Sequence, residues 1–70
     1  MPTSVTLIVN GAPTPLAAPG TVHDLLAAMA LLDQRVAVER NGEVVPRSRH
    51  RDTRLASGDR VEIIVAVGGG

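Results

Sequence analysis

The residues most able to take part in a chemical reaction lie at the C-terminus, where Gly68, Gly69 and Gly70 follow an apolar stretch. Glycine adds no side chain to pack and loses the most conformational freedom when it is ordered, so these residues contribute nothing to a fold. A glycine segment can enter a narrow channel, because the missing Cβ lets another backbone approach closely. Three extended residues reach about 10 Å. Composition alone leaves two interpretations open: an idle end, or a segment whose terminal carboxylate on Gly70 reacts.

A reacting carboxylate would need a partner. A free carboxylate is a poor acyl donor and must first be activated, for example by attack on the α-phosphate of ATP to give an acyl-adenylate. This chain has no glycine-rich phosphate loop followed by a helix and no cluster of metal-binding carboxylates. We therefore expect another protein to carry out the activation, and we expect no cofactor or metal bound by this chain itself.

The remaining polar candidates favour structural roles. His23 and His50 are single histidines without a ligand at metal-binding spacing, so we interpret both as solvated surface residues. Asp24 is typical of a charge in the first turn of a helix. Four arginines lie within residues 47–54, and most such runs are solvated loops. As a hypothesis, arginines such as Arg47 and Arg49 contact acidic residues of a partner.

Composition excludes several classes of function. The 70 residues carry seven arginines, no lysine and seven acidic residues, so the formal net charge is zero, unlike that of nucleic-acid or membrane-surface binders. Phe, Tyr and Trp are absent, which removes any platform for base stacking. Cysteine is absent, which excludes disulfides and thiolate sites. With no membrane-span or signal pattern, we expect a cytoplasmic protein that contacts neither nucleic acid nor membrane.

Two hairpins and one helix are predicted from periodicity. The side chains of residues 3–10 alternate between two faces in the pattern of a half-buried strand. An Asn-Gly turn follows, and prolines confine the next strand to a sheet edge. Apolar residues at helical spacing predict a helix over residues 22–31, with Thr21 and Asp24 resembling a capping box. Residues 35–46 predict a second hairpin around another Asn-Gly turn, ended by a proline.

The last part of the chain returns to the centre of the sheet. Residues 47–60 are polar and predict an irregular connection with one short helical turn, closed by a turn at residues 57–59. The apolar run over residues 60–67 predicts a strand with partners on both sides. A right-handed crossover between the hairpins places the first and last strands in parallel. The fold class predicted is α+β, a ubiquitin-like β-grasp: a mixed sheet of four to five strands with one main helix on one face. Residues 1–67 would form the domain and residues 68–70 a flexible tail.

One helix can cover only one face of this sheet. The predicted registers leave Ile8, Ala37, Ile64 and Ala66 on the other face. Scattered exposed aliphatic side chains are ordinary, but adjacent ones on central strands would form an apolar patch that leads towards the tail. We expect such a patch to dock on partner enzymes.

Four segments together resemble one family. "GTVHDLL" at residues 20–26, "VERNGEVVPRS" at 38–48, "SGDRVEII" at 57–64 and the terminal "AVGGG" resemble the ThiS family, the sulfur carrier proteins of thiamin biosynthesis. The chain departs from a diglycine end by one extra glycine, so we take Gly69-Gly70 as the motif and Gly68 as added reach.

The resemblance implies a carrier, not an enzyme. Gly70 would be adenylated by an E1-like adenylyltransferase that uses ATP and Mg²⁺, and then converted to a thiocarboxylate with sulfur from a donor such as a cysteine desulfurase. Thiazole synthase would consume that sulfur. Alternatives are a carrier of another sulfur pathway, such as the small subunit of molybdopterin synthase, a ubiquitin-like modifier that acylates lysines, and an interaction module with an idle tail.

Overall fold

The computed structural model of the protein describes residues 4–66. Its elements, in chain order, are β1 (Ser4–Val9), β2 (Ala12–Ala17), β3 (Gly20–Thr21), α1 (Val22–Ala28), β4 (Val36–Arg40), β5 (Glu43–Val45), a 3₁₀ turn (Arg47–Arg49), β6 (Arg54–Leu55) and β7 (Arg60–Val65). Five strands form one sheet in the order β2-β1-β7-β4-β5, and β3 pairs with β6 in a second, two-stranded sheet. The β-grasp arrangement with a five-stranded mixed sheet is thereby confirmed.

Both predicted hairpins are present. Asn10 and Gly11 have φ of 49° and 85°, and Asn41 and Gly42 have φ of 51° and 86°. Positive φ at both turn positions is the geometry that Asn-Gly favours, because its twist matches that of the flanking strands. The proline-containing strand β2 lies at one edge of the sheet, as predicted, and the other edge strand, β5, stops before Pro46.

The last strand is central and parallel to the first. β7 pairs in parallel with β1, where Ile8 lies opposite Arg60, and antiparallel with β4, where Ala37 lies opposite Ile64. The prediction that β7 has partners on both sides is therefore confirmed. The structure ends this strand at Val65, and residue 67 of the predicted strand lies outside the described residues.

The helix begins where predicted and ends sooner. Thr21 and Asp24 form the capping box, each side chain bonding the other's backbone N–H. The helix stops at Ala28, not residue 31, because Ala30 adopts a φ of 58° and lets Leu31 N–H donate to the Leu26 carbonyl at 2.8 Å. This is a Schellman closure, which usually has glycine at the left-handed position. No helix within residues 4–66 is long and apolar enough to cross a membrane.

The core lies between α1 and one face of the sheet. It is built from aliphatic side chains alone, eleven of them buried: Leu7, Val9, Leu16, Val22, Leu25, Leu26, Val38, Val45, Leu55, Val61 and Ile63. Each such side chain contributes about 1.5–3 kcal/mol when fully buried. The predicted connection contains its one helical turn, but it also includes β6, which was not predicted. The opposite sheet face is left without a covering layer in the described part of the chain.

Candidate functional site

β7 carries the chain towards the C-terminal glycines and is paired with β4 up to its end. Val65 lies opposite Val36, and Ala66 N–H donates to the Arg35 carbonyl at 2.9 Å. The chain therefore leaves the sheet from a central strand that is fixed by backbone hydrogen bonds. The predicted reacting segment, residues 68–70, lies outside the described residues, so its role stays a prediction.

On its other side β7 is held by a side chain. β1 ends at Val9, but the Asn10 amide continues the ladder: its Oδ1 accepts from Ile63 N–H at 2.8 Å and its Nδ2 donates to the Ile63 carbonyl at 3.1 Å. Asn10 N–H also donates to the Val61 carbonyl at 2.9 Å. A carboxamide presents the same donor and acceptor as a peptide group, so it can replace one strand residue. The sequence indicated only a turn at this position.

The start of β7 is anchored by a buried carboxylate. Asp59 accepts from Ala56 N–H at 2.8 Å, from Arg40 Nε at 3.0 Å and from Asn41 Nδ2 at 3.1 Å, while Asn41 Oδ1 accepts from Arg60 N–H at 2.9 Å. Burial alone would raise the pKa of Asp59, but the hydrogen bonds from Ala56, Asn41 and Arg40, together with the charge of Arg40, outweigh it and lower that pKa below its usual value. This network ties the start of β7 to the second hairpin.

The uncovered sheet face carries exposed apolar side chains near the end of β7. Ile64 is 64% exposed and lies opposite Ala37 on β4. Val44 on β5 is 70% exposed and lies opposite Glu39, one row away from Ala37, and Ala66, also exposed, follows Ile64 by two residues. We call Ala37, Val44, Ile64 and Ala66 the open-face patch. Three of these were predicted; Val44 was missed, although its alternation with buried Val45 was a usable signal.

Ile8 is on the same face but apart from this patch. It lies opposite Arg60, four residues before Ile64 along β7, and is only half-exposed. Two acidic residues, Glu39 and Glu62, face each other between the two positions. Of the residues predicted for docking, Ala37 and Ile64 are brought together, and Ile8 is separated from them by a charged row.

The two predicted docking arginines are on neither central strand. Arg47 and Arg49 are exposed on the 3₁₀ turn after β5. Arg47 lines a groove beside α1, whereas Arg49 lines a shallow depression that also includes Val44. Within residues 4–66 the one ion pair joins Arg40 to Asp59, so neither of these two arginines pairs with a carboxylate of the described chain.

The expectation that His50 is a solvated surface residue is wrong. Its side chain is 7% exposed, and its Nε2 lies 3.1 Å from the Val45 carbonyl. The His50 carbonyl accepts from His23 N–H at 2.9 Å, so this residue joins β5, the 3₁₀ turn and α1. His23 is half-buried. Among residues 4–66, no three histidine or acidic side chains lie together in a way that could hold a metal ion.

Comparison with known proteins agrees with this architecture. The model of the ThiS family matches residues 7–70. The chain belongs to the ThiS family. It is 43% identical over 51 residues to the sulfur carrier protein ThiS of Bacillus subtilis, covering 73% of this chain and 77% of that one. A crystal structure of the thiamine biosynthesis protein ThiS from Geobacter metallireducens superposes with a TM-score of 0.77 at 36% identity, over 94% of this chain and all of that one.

Similarity extends to part of a larger protein. Thiazole synthase of Paramagnetospirillum magneticum is 39% identical over 64 residues, which is 91% of this chain and 20% of that protein. The chain thus spans about a fifth of the thiazole synthase that it matches, and a thiazole synthase of Magnetococcus marinus is matched over a similar share, 19%. A ThiS-like segment is therefore present within these longer proteins.

Proposed function

We propose that this member of the ThiS family is a sulfur carrier whose Gly70 is converted to a thiocarboxylate that supplies sulfur for thiazole formation in thiamin biosynthesis. The observation that carries the proposal is the family match, which runs from β1 through the terminal glycines. In this role the chain is a protein co-substrate and not an enzyme.

The chemistry would take place in two steps at one carboxylate. The Gly70 carboxylate attacks the α-phosphorus of ATP, pyrophosphate leaves, and an acyl-adenylate forms in the active site of an adenylyltransferase that supplies the Mg²⁺. A sulfur nucleophile then attacks the acyl carbon and displaces AMP. With sulfide the product is the thiocarboxylate directly; with a persulfide donor it is an acyl disulfide, which a thiol reductant cleaves to the thiocarboxylate.

The partner that consumes the sulfur would be thiazole synthase. Support comes from the two thiazole synthases that contain a segment similar to this chain, because a carrier joined to an enzyme in one polypeptide is supplied at high effective concentration. The same observation favours the thiamin pathway over a molybdopterin-type carrier. The adenylyltransferase and the sulfur donor remain proposals from the family resemblance.

The open-face patch would dock on these enzymes. It lies beside the end of β7, so a protein seated on it would be close to where the chain leaves the sheet. Ile64 and Val44 are the two most exposed large apolar side chains among residues 4–66. Exposed apolar surface of this kind is typical of an interaction site.

The test of the carrier function is intact mass spectrometry after incubation with ATP, Mg²⁺, the adenylyltransferase and a sulfur donor, followed by a thiol-reactive alkylating agent. Because the chain has no cysteine, an adduct is diagnostic. We expect one adduct that fragmentation assigns to Gly70 and that is lost when Gly69 and Gly70 are deleted. An adenylate without any alkylated product, or conjugates to lysines of other proteins, would overturn sulfur transfer in favour of a modifier.

The docking role is tested by Ile64→Asp. We expect the variant to fold normally, since this side chain is outside the core, and to slow thiocarboxylate formation or use by about tenfold. Thr6→Asp is the matched control, because Thr6 is exposed on the same sheet face away from the patch. Parental rates for Ile64→Asp in both steps would rule out the patch as a docking site.

A further inference from the structure

A groove lies on the side of the sheet opposite the open-face patch. It has a volume of about 540 Å³ and runs between α1, the segment that follows the helix, and the 3₁₀ turn. Its apolar wall comes from Leu26, Leu31 and Val36, with Leu32 exposed at the rim. None of the four residues of the open-face patch lines this groove.

The groove is lined by positively charged side chains and by no negatively charged ones. Arg47 and Arg51 both line it, and none of the residues that line it is acidic. Within residues 4–66 neither arginine lies in an ion pair. The described part of the chain therefore presents two guanidinium groups without an ion-pair partner beside an exposed leucine.

We propose that this groove is a second docking surface, which binds an acidic segment of a partner enzyme that carries one bulky aliphatic side chain. Carboxylates of the segment would bind the guanidinium groups of Arg47 and Arg51, since planar guanidinium groups pair well with carboxylates. Its aliphatic side chain would pack on Leu31 and Leu32. The identity of the enzyme rests on the proposed function, whereas the chemistry of the segment rests on the groove alone.

The volume of the groove agrees with the binding of a peptide segment. The groove is larger than one side chain and falls within the range of about 300–1,000 Å³ that is usual for binding sites. A peptide is the occupant that supplies carboxylates and an aliphatic group at fixed spacing. Since the groove and the open-face patch lie on opposite sides of the sheet, one partner can hold the groove while another holds the patch.

The first test needs no enzyme. The isotope-labelled full chain is titrated with the acidic peptide GDELDEG and followed by amide chemical shifts in NMR. We expect saturable shifts at Leu32, Ser48 and Arg51, and none at Ile64. The double variant Arg47→Glu, Arg51→Glu should weaken binding by at least about tenfold, and Leu32→Ser should also weaken it. Arg54→Glu, a reversal of an exposed arginine outside the groove, should not.

Three results would overturn the proposal. The first is the absence of any chemical-shift change on titration with GDELDEG, and the second is changes confined to the open-face patch. The third is that the leucine-free peptide GDESDEG and inorganic phosphate both bind as tightly as GDELDEG. The last would mean a simple anion site. None of these results depends on ATP or sulfur chemistry, so they are distinguishable from a failure of Gly70 to form a thiocarboxylate.

The second test asks whether partners use the groove. In the reconstituted reaction we expect the same double variant to slow either thiocarboxylate formation or its consumption by thiazole synthase, and the defect to be relieved by raising the concentration of the carrier. Arg54→Glu again serves as the control. If the parental protein is active and the double variant matches it in both steps, the partner role of the groove is overturned while the carrier function stands.

Discussion

Asn10-Gly11 and Asn41-Gly42 close the two hairpins with nearly the same backbone, with φ of 49° and 85° against 51° and 86°. Both asparagine side chains then reach β7, on opposite sides of that strand. Asn41 acts together with the buried carboxylate of Asp59, so the start of β7 is held by a charged network. Asn10 acts without a charged partner and holds Ile63, nearer the end of the strand.

The same Asn-Gly signal thus supports two different hydrogen-bond arrangements around β7. At the start of β7 the charged network fixes how the second hairpin meets the central strand. Nearer the C-terminal end, the neutral amide of Asn10 completes the ladder where β1 turns away. The charged network is thus at the end of β7 that is farther from the glycines.

The largest effect is expected from removing the carboxylate of this network. Asp59→Ala leaves Asn41 Nδ2 and Ala56 N–H without their acceptor and should lower the free energy of unfolding by about 2–3 kcal/mol. Urea denaturation measures it. Asp33→Ala, at an exposed aspartate, is the control and should change the free energy by less than about 0.5 kcal/mol. A loss as small as that of the control would mean that the network does not anchor β7.

The same carboxylate predicts a pH dependence. Because the folded state lowers the pKa of Asp59, the ionised group stabilises the fold above its ordinary pKa of 3.8, and this contribution is lost as the pH falls through the folded value. The difference in unfolding free energy between the parent and Asp59→Asn should therefore be constant near neutral pH and shrink below about pH 4. A difference that stayed constant throughout this acid range would contradict the lowered pKa.

The two turns are compared directly by Asn41→Gly and Asn10→Gly. Glycine keeps the positive φ in both cases and removes only the amide, so the entropy that it adds to the unfolded chain cancels in the comparison. We expect Asn41→Gly to lower the free energy of unfolding by about 2 kcal/mol, because the buried Asp59 carboxylate loses a hydrogen-bond donor. We expect Asn10→Gly to lower it by about 1 kcal/mol.

Hydrogen exchange locates the effect of Asn10→Gly. The Ile63 N–H loses its acceptor in this variant, so its exchange should accelerate by about tenfold or more relative to Val38 in the neighbouring strand. Equal losses of stability for the two glycine variants, with no local change at Ile63, would remove the distinction between the turns.

What the sequence could predict was local. Alternation and the two Asn-Gly turns predicted the hairpins, and Thr21 with Asp24 predicted the helix start, because each signal lies within a few residues. Other features depend on residues that meet only in the folded chain. These are the hydrogen bonds of the Asn10 side chain to Ile63, the burial of His50 and the hydrogen bonds that Asp59 accepts. Periodicity likewise predicted three of the four residues of the open-face patch, but the groove beside α1 needed the tertiary arrangement of three separate segments.

The smallest effect is expected at the end of the helix, where Ala30 is the third non-glycine residue with positive φ among residues 4–66. Ala30 has a φ of 58°, yet unlike Asn10 and Asn41 it has no side chain amide to compensate for that conformation. Left-handed backbone costs an L-residue about 1–2 kcal/mol, whereas glycine adopts it without a steric penalty.

Ala30→Gly should therefore raise the free energy of unfolding, by about 0.5–1 kcal/mol after the added entropy of the unfolded glycine is subtracted. Thermal and urea denaturation measure the gain, and Ala28→Gly is the matched control: Ala28 is the last residue of α1 and has helical backbone, so the variant should lower the free energy of unfolding by up to about 1 kcal/mol. Two alanines two residues apart would then respond to one substitution with opposite signs. If Ala30→Gly also destabilised the protein, the helix would not end in the left-handed closure, and Ala30 would belong with the helix that its sequence favours.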